Sequence, residues 1–354
     1  MSQLKKSIIF TLKNGTGVFY WMRESRRWVR DYISFRKEAK RLFQEDCPKV
    51  GSFQDYLRAL RSHRFTYGEY MRYELWRLSK EERYEFISMA EMSMVYRKMV
   101  SNTIKALFNE KSSFLKKYKD FVYRKWVYVP EATTDGLKDL LSTRECIIKP
   151  VQGFSGWGVR RFERTDETDW DQLYEDLSRE QALVEECIYA ADEIEEFHPA
   201  SLNTLRVVTM SKGKEVRFIG AILRMGVHGS CIDNSHAGGI FAKINLDTGV
   251  IESDGVDMMG NEYICHPDSG KTIRGVVIPY WKEVKDTCIK ATQVVPNLFM
   301  GGWDICVHQD GTIELIEGNC VPHFDGGMQL PLRQGVRRKL KGYLDELYGI
   351  GNMI

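Results

Sequence analysis

WDICVHQDGTIELIEGN, residues 303–319, is the stretch on which the reading of the chain turns. Two β-prone runs flank Asp310-Gly311, a dipeptide that favours a two-residue hairpin loop. Such a loop pairs Gln309 with Thr312, and counting back along both strands brings Asp304 opposite Glu317. Opposed β-carbons on one face of an antiparallel pair lie roughly 4.5–5.5 Å apart, where two like charges repel unless something stands between them. A divalent cation meets that requirement. Asn319, two residues beyond Glu317, returns to the same face by strand alternation and adds a neutral oxygen. Asp, Glu and Asn are hard oxygen donors suited to Mg2+ held partly by substrate phosphates. The plainer alternative is a surface hairpin with an unfavourable charge pair, since short motifs recur by chance.

The rest of the composition bounds the answer. The 354 residues are 43% hydrophobic and 12% aromatic, enough for a real core in two or three compact units. Lys plus Arg number 51 against 49 Asp plus Glu, and the net +2 gives no case for a nucleic-acid binder. Cysteines at 47, 146, 187, 231, 265, 288, 306 and 320 form no Cys-x-x-Cys pair for zinc, and read as reduced thiols in a cytoplasm. No apolar run approaches the roughly 20 residues that span a bilayer, and the start lacks the apolar core of a secretory signal. The expectation is a soluble chain, cytoplasmic or peripheral at the inner face of a membrane.

Residues 1–110 read as a helical region rich in Arg, Lys, Tyr, Trp, Phe and Met. Trp28, Tyr32, Phe35, Ala39 and Leu42 recur at spacings of four and three and line one helix face. Residues 18–43 carry eight Arg or Lys and three Asp or Glu, a net +5. Such a face could lie on an anionic membrane; packing on the rest of the protein is the favoured alternative, because most amphipathic helices simply face a core. Ser79 with Glu82 makes a capping box for a helix that runs on through EMSMVYRKM.

From Phe121 the texture changes to short β-rich runs: FVYRKWVYV, ECIIKPV, GVRRF, ALVEECI, TLRVVTM, RFIGAILRM and GIFAKINL. Helical connections are expected near 134–142, 166–180 and 280–293, with a last helix closing the chain. The class is α+β. Between two of these strands lies KPVQGFSGWGV, residues 149–159. Gly153, Gly156 and Gly158 let backbone N–H groups turn towards an anion, Ser155 adds a hydroxyl and Lys149 a charge. The spacing is neither a P-loop nor a Rossmann turn, so a hairpin lid over phosphates fits better, and an ordinary glycine turn is the simplest alternative. ALVEECI ends in two acids, as expected at the mouth of a cleft. Asn203, Thr204 and Arg206 then enter a strand, and Arg206 alternates with apolar neighbours; Arg holds carboxylate or phosphate in two-pronged fashion. A turn follows with Asp233, Asn234 and His236, then Lys243.

Taken in order, these features resemble the ATP-grasp superfamily from about residue 109 onward. Within it, the sugar-transfer-associated ATP-grasp proteins look closest, on SLNTLRVVT, DNSHAGGI, WDICV, IEGN and, nearer the start, GEYMRYELWRLSKEERYEFIS. The resemblance implies two α+β subdomains gripping ATP within 111–354: a glycine-loop subdomain at about 145–195 and a metal-binding one at 196–354. It implies that Lys111 and Lys149 touch the ATP phosphates and that Glu185, Glu186, Cys187 and Ile188 form the hinge receiving adenine. It further implies that Arg206 and Lys243 face the transferred phosphoryl group, and that Asp304, Glu317 and Asn319 hold Mg2+, for which Mn2+ is an acceptable substitute. Related enzymes place an acid just before the Arg strand. Here Asn203-Thr204 stand there, with Asp192 and Glu193 farther upstream, so Asn203 and Asp192 are both ribose candidates.

The implied chemistry is ATP-dependent carboxylate–amine ligation through an acyl phosphate, forming an amide, or an ester where a hydroxyl replaces the amine, on a small-molecule or glycan carboxylate and amine in surface-polysaccharide synthesis. Arg224, Asp233, Asn234, His236 and His323 are candidates for the acceptor pocket. The rivals are a phosphotransferase with the same grip on ATP and a nucleotide-binding scaffold of a glycan assembly.

Overall fold

The computed structural model describes residue 33 and residues 53–152, 158–165, 167–233, 238–324 and 327–354. It holds two compact units, Met1–Ser79 and Lys80–Ile354. The basic aromatic helix expected over 18–43 lies outside the described residues except for Ile33. In the first unit, α1 (Phe53–His63) is followed by α2 (Tyr67–Arg72), which Thr66 and Glu69 start with a reciprocal capping box. Tyr70 is buried and donates its hydroxyl to Asp55 at 2.8 Å.

The second unit opens with α3 (Lys80–Glu85), α4 (Met89–Met99), α5 (Asn102–Asn109) and α6 (Lys111–Lys117). The single helix expected from Ser79 through the methionine run is two. Ser88 adopts extended backbone, caps α4 by accepting from Glu91 N–H, and donates its own N–H to the Glu91 carboxylate in return, so a capping box at Ser88 starts a separate helix.

A four-stranded antiparallel sheet follows, formed by β1 (Trp126–Tyr128), β2 (Cys146–Pro150), β3 (Arg160–Arg161) and β4 (Ala182–Glu186) in the order β1-β4-β2-β3. Helices α7 (Thr134–Thr143) and α8 (Trp170–Arg179) cover one face. Leu137, Leu140, Leu141 and Leu177 pack there with Cys146, Ile148, Ala182 and Val184. By alternation Lys149 and Glu185 stand on the opposite face. Only residues 126–128 of the expected strand FVYRKWVYV pair in the ladder; Tyr123 and Arg124 instead donate their backbone N–H groups to the Glu314 side chain, each at 3.0 Å.

After α9 (Asp192–Glu195), β5 (Leu205–Lys212), β6 (Glu215–Met225), β7 (Ile240–Ile244), β8 (Gly255–Val256), β9 (Glu262–Tyr263), β10 (Met300–Val307) and β11 (Ile313–Asn319) form the second sheet. Its order is β11-β10-β5-β6-β7-β8-β9, antiparallel throughout. One face carries Leu205, Val207, Ala221, Leu223, Trp303 and Ile305, all buried. Helix α10 (Trp281–Val294) covers part of it, its Thr292 hydroxyl 2.9 Å from that of Thr209. The Trp303 ring lies 5.5 Å from that of Tyr118 and 6.1 Å from that of Phe108. The opposite face holds the polar residues described next. Helix α11 (Arg337–Tyr348) closes the unit, its buried Arg337 bonded to Glu91 at 2.7 Å.

Candidate active site

The site is built outward from the β10–β11 hairpin. Its turn is longer than expected. Gly311 N–H donates to His308 carbonyl at 3.0 Å, and His308 N–H to Thr312 carbonyl at 2.9 Å, so the loop is Gln309-Asp310-Gly311, with Gly311 at φ +85°. Asp-Gly serves a three-residue loop as well as a two-residue one, because each needs a left-handed residue that glycine adopts without steric penalty. Near the loop the register therefore runs Val307 to Ile313, Cys306 to Glu314 and Ile305 to Leu315. Continued, it would set Asp304 against Ile316 and turn Glu317 to the other face. A β-bulge at Ile316 restores the parity: Asp304 pairs with Glu317 and Gly302 with Asn319. The opposition of Asp304 and Glu317 stands as expected, through an extra loop residue and a compensating bulge.

The same register runs across the sheet. Asp304 pairs with Arg206, Arg206 with Ile222 and Ile222 with Lys243. One row across five strands thus reads Glu317, Asp304, Arg206, Ile222, Lys243, all on one face. Arg206 grips Asp304 with two prongs, Nε to Oδ1 and Nη2 to Oδ2, the latter at 2.8 Å. Arg224, two residues along β6 from Ile222, reaches the same Oδ2 at 2.9 Å. Burial alone would raise the Asp304 carboxyl; the two arginines outweigh it and hold it below the usual range. Arg224 also donates to Thr204 Oγ1 at 2.7 Å, and Thr204 donates that hydroxyl, and its N–H at 2.9 Å, to Asp233. For Asp233 burial prevails over Arg224, and its carboxyl is raised. Burial likewise lowers the ammonium of Lys243 against the pull of Glu252.

The nucleotide side expected from the sequence gathers around Glu185. Lys149 bonds Glu185 at 2.7 Å. Lys111 opens α6; burial lowers its ammonium, Glu317 and Glu185 oppose that, and Lys149 adds to it, which places all four in one electrostatic neighbourhood. Glu185 is pulled down to about 2: burial raises it, and Arg124 and Lys149 more than reverse this. Its Oε1 is buried with no hydrogen-bond partner among the described residues. In the segment expected to receive adenine, Glu186 N–H donates to Lys125 carbonyl at 2.9 Å and Cys187 N–H to Glu145 carbonyl at 2.7 Å, while Ile188 is half-buried.

The remaining candidates separate. Gly153, Ser155, Gly156, Asn234 and His236 lie outside the described residues. Gly158 sits in a turn against Pro150. Asn203 is buried, its amide donating to Ile194 and His198 carbonyls at 3.0 and 3.2 Å and accepting from Gly226 N–H at 3.3 Å, which ties backbone together. Asp192 is exposed at the start of α9, its N–H donating to Gln309 of the hairpin loop at 2.9 Å. His323 is exposed.

A family model for sugar-transfer-associated ATP-grasp matches residues 96–343. The chain belongs to this family. A search of the curated proteins returns no match. Among solved structures it is similar to the ATP-grasp ligase PsnB complexed with a phosphomimetic variant of its minimal precursor, Mg and ADP, at 18% identity and a TM-score of 0.38 over 64% of this chain and 53% of that one. It is also similar to an N5-carboxyaminoimidazole synthetase from Staphylococcus aureus with ADP, at 12% identity and a TM-score of 0.40 over 71% and 59%. The D-alanine–D-alanine ligase from Coxiella burnetii gives 11% and 0.37 over 67% and 53%. The chain spans between about half and three-fifths of the length of these structures.

For this ATP-grasp chain the donor set suits Mg2+. Asp304 and Glu317 offer carboxylates from adjacent strands, and Asn319 Oδ1, which accepts Val321 N–H at 2.8 Å, keeps a second lone pair. Among the described residues no three His, Cys, Asp or Glu side chains converge, and the Asn319 amide is the further oxygen donor that β11 offers beside the two carboxylates. Asp304 is shared with two arginines, and a cation there has to divide that carboxylate with them.

Sequence reasoning missed two residues. Arg124 lay in a run read as strand, and its partners Glu185 and Glu314 are 61 and 190 positions away. Lys339 of α11 donates to Ile219 carbonyl at 3.0 Å, and burial, with the charge of Lys243 adding to it, lowers its ammonium. Only its place in a basic helix start marked it.

Proposed function

We propose that this chain is an ATP-dependent ligase that joins a carboxylate to an amine through an acyl phosphate. The observation that carries the reading is the row Glu317, Asp304, Arg206, Ile222, Lys243, in which acids suited to a metal stand beside cations suited to a phosphoryl group. Family membership supports the ATP half of the reaction. The family's description supports a sugar acid or an amino-acid-bearing glycan precursor as one substrate; that step is association rather than physics.

Asp304, Glu317 and Asn319 would hold Mg2+, which when bound neutralises phosphate charge and orients the transferring group. Arg206 and Lys243 offset the charge that develops as a carboxylate oxygen attacks the γ-phosphorus and the bond to the ADP oxygen breaks. The amine lone pair then attacks the acyl carbon, phosphate leaves, and the amine proton passes to solvent. Lys111 and Lys149 position the phosphates from the other sheet. Arg224, fixed by Asp304 and Thr204, borders the place an acceptor carboxylate would take. No cysteine is needed as nucleophile, and the seven described cysteines are free.

The test is an ADP-release screen of sugar acids against amino acids, run with hydroxylamine. Hydroxamate formation is the expected result. ATP-dependent phosphorylation of a hydroxyl without hydroxamate would overturn the ligase reading in favour of a kinase, and tight nucleotide binding without turnover across the panel would favour a scaffold.

A further inference from the structure

The β11 bulge is a weak point in the ladder. Ile316 has no cross-strand partner, and β11 is the terminal strand of its sheet. A one-residue slip would extend the loop-side register, pair Asp304 with Ile316, and carry Glu317 and Asn319 to the far face. Something other than the ladder has to hold the bulge.

Arg124 is placed to do so. Its side chain is 2% exposed. Nη1 donates to Leu315 carbonyl at 2.9 Å and Nη2 to Ile316 carbonyl at 3.1 Å. In a regular strand successive carbonyls point to opposite edges; here two in succession reach one guanidinium, which is possible only across the bulge. The fork is itself anchored on both sides, by Glu314 at 2.7 Å from Nη1 and by Glu185 at 2.9 Å from Nε. Glu314 in turn receives Tyr123 and Arg124 N–H and lies 2.9 Å from His308 Nε2, while Glu185 receives Lys149.

We infer that Arg124 is a positioning residue of the candidate metal site: it locks the Ile316 bulge in the register that turns Glu317 and Asn319 towards Asp304, and ties that register to Glu185 on the nucleotide side. The inference rests on the reading of Asp304, Glu317 and Asn319 as metal ligands. Withdrawing the fork leaves the Ile316 carbonyl without its donor, and the slipped register becomes competitive.

The probe is Mn2+, its affinity measured by electron paramagnetic resonance on the full chain saturated with a non-hydrolysable ATP analogue, so that changes in nucleotide affinity do not enter. Native protein, Glu317→Gln and Arg124→Lys are compared, with melting curves and hydrogen exchange in parallel. Lysine keeps the charge facing Glu185 and Glu314 but is a point donor that cannot fork to two carbonyls. Arg124→Lys is expected to weaken Mn2+ binding by about tenfold or more, the usual range for residues that support metal ligands from behind, and to speed exchange of the Ile316 and Glu317 amides. Unchanged Mn2+ affinity in Arg124→Lys, with Glu317→Gln weakened, overturns the inference and leaves the metal reading standing. Unchanged affinity in Glu317→Gln overturns both. Should the lysine variant fail to fold, Arg124→Gln, which retains an uncharged donor, is judged by the same outcomes.

Discussion

Asp304 and Glu317 face each other because Ile316 stands out of register between them and the turn. The pair is therefore a product of two departures from a simple hairpin rather than of a simple hairpin. Two carboxylates so placed repel, and Asp304 is compensated by Arg206 and Arg224. The Glu317 carboxylate in turn favours the charged forms of Lys111 and Arg224.

Glu317→Gln removes one charge and keeps the shape. The expected outcome is an unchanged fold, with Mg2+-dependent ADP release reduced on the order of 10²-fold, equivalent to about 3 kcal/mol of transition-state stabilisation. Circular dichroism and steady-state ADP release measure the two halves. Near-native turnover would remove Glu317 from the metal site.

Gly318 lies between Glu317 and Asn319 for a steric reason. A β-carbon added there would meet the Phe114 ring at 2.5 Å and the Phe108 ring at 2.9 Å. Phe114 belongs to α6, the helix that begins at Lys111, so close approach at Gly318 sets the spacing between Lys111 and β11. Gly318→Ala is expected to destabilise by about 1–3 kcal/mol through overpacking and to raise the KM for ATP. Chemical denaturation and ATP titration check it; a variant of native stability would show that the rings yield.

Much of this was legible in the sequence. The β-rich runs overlap β1 to β7, β10 and β11, while the two-residue β8 and β9 fall outside them, and Glu-x-Asn puts two oxygen donors on one face of a strand. What was hidden depends on distant partners or on equivalent local choices. Asp-Gly fits two loop lengths, and only the chain's packing selects between them. Ser79-Glu82 and Ser88-Glu91 both match the capping-box pattern, so one helix or two could start there, and the structure sets the break with Phe86 and Ile87 buried between the helices. Arg124 carries no periodic signal, because its partners lie on β4 and β11. Asn203 suited ribose or backbone equally well until its amide was seen bonded to three backbone groups.

Thr204 links Arg224 to Asp233 through one hydroxyl, accepting from the guanidinium at 2.7 Å and donating to the carboxylate. Thr204→Val keeps the volume and removes all three bonds of the hydroxyl, two from Arg224 and one to Asp233. A loss of about 1–3 kcal/mol is expected, the penalty for buried polar groups left short of partners, with faster hydrogen exchange at Ile232 and Asp233. Exchange confined to its native rate would mean that the Thr204 N–H, 2.9 Å from Asp233, holds that segment alone.

The last expectation concerns acid. His266 is buried, with Nε2 at 2.8 Å from the Gly226 carbonyl and Nδ1 accepting Asp268 N–H at 3.3 Å. A carbonyl only accepts, so Nε2 carries the proton and Nδ1 must be bare: the ring is satisfied as the neutral tautomer. Burial lowers its proton affinity and the adjacent His198 adds to this, outweighing the Gly226 carbonyl and Asp268. The unfolded chain then takes the proton first. Stability from this group is complete above the unfolded value of about 6.5 and is lost as pH falls through the lower folded value. His198, also buried and also lowered by burial, lies 5.8 Å away ring to ring and acts in the same direction. Melting temperatures measured from pH 7.5 to 5 are expected to fall more steeply for native protein than for His266→Gln, whose side chain keeps a donor for the carbonyl without titrating. Parallel curves would assign the acid sensitivity to other groups.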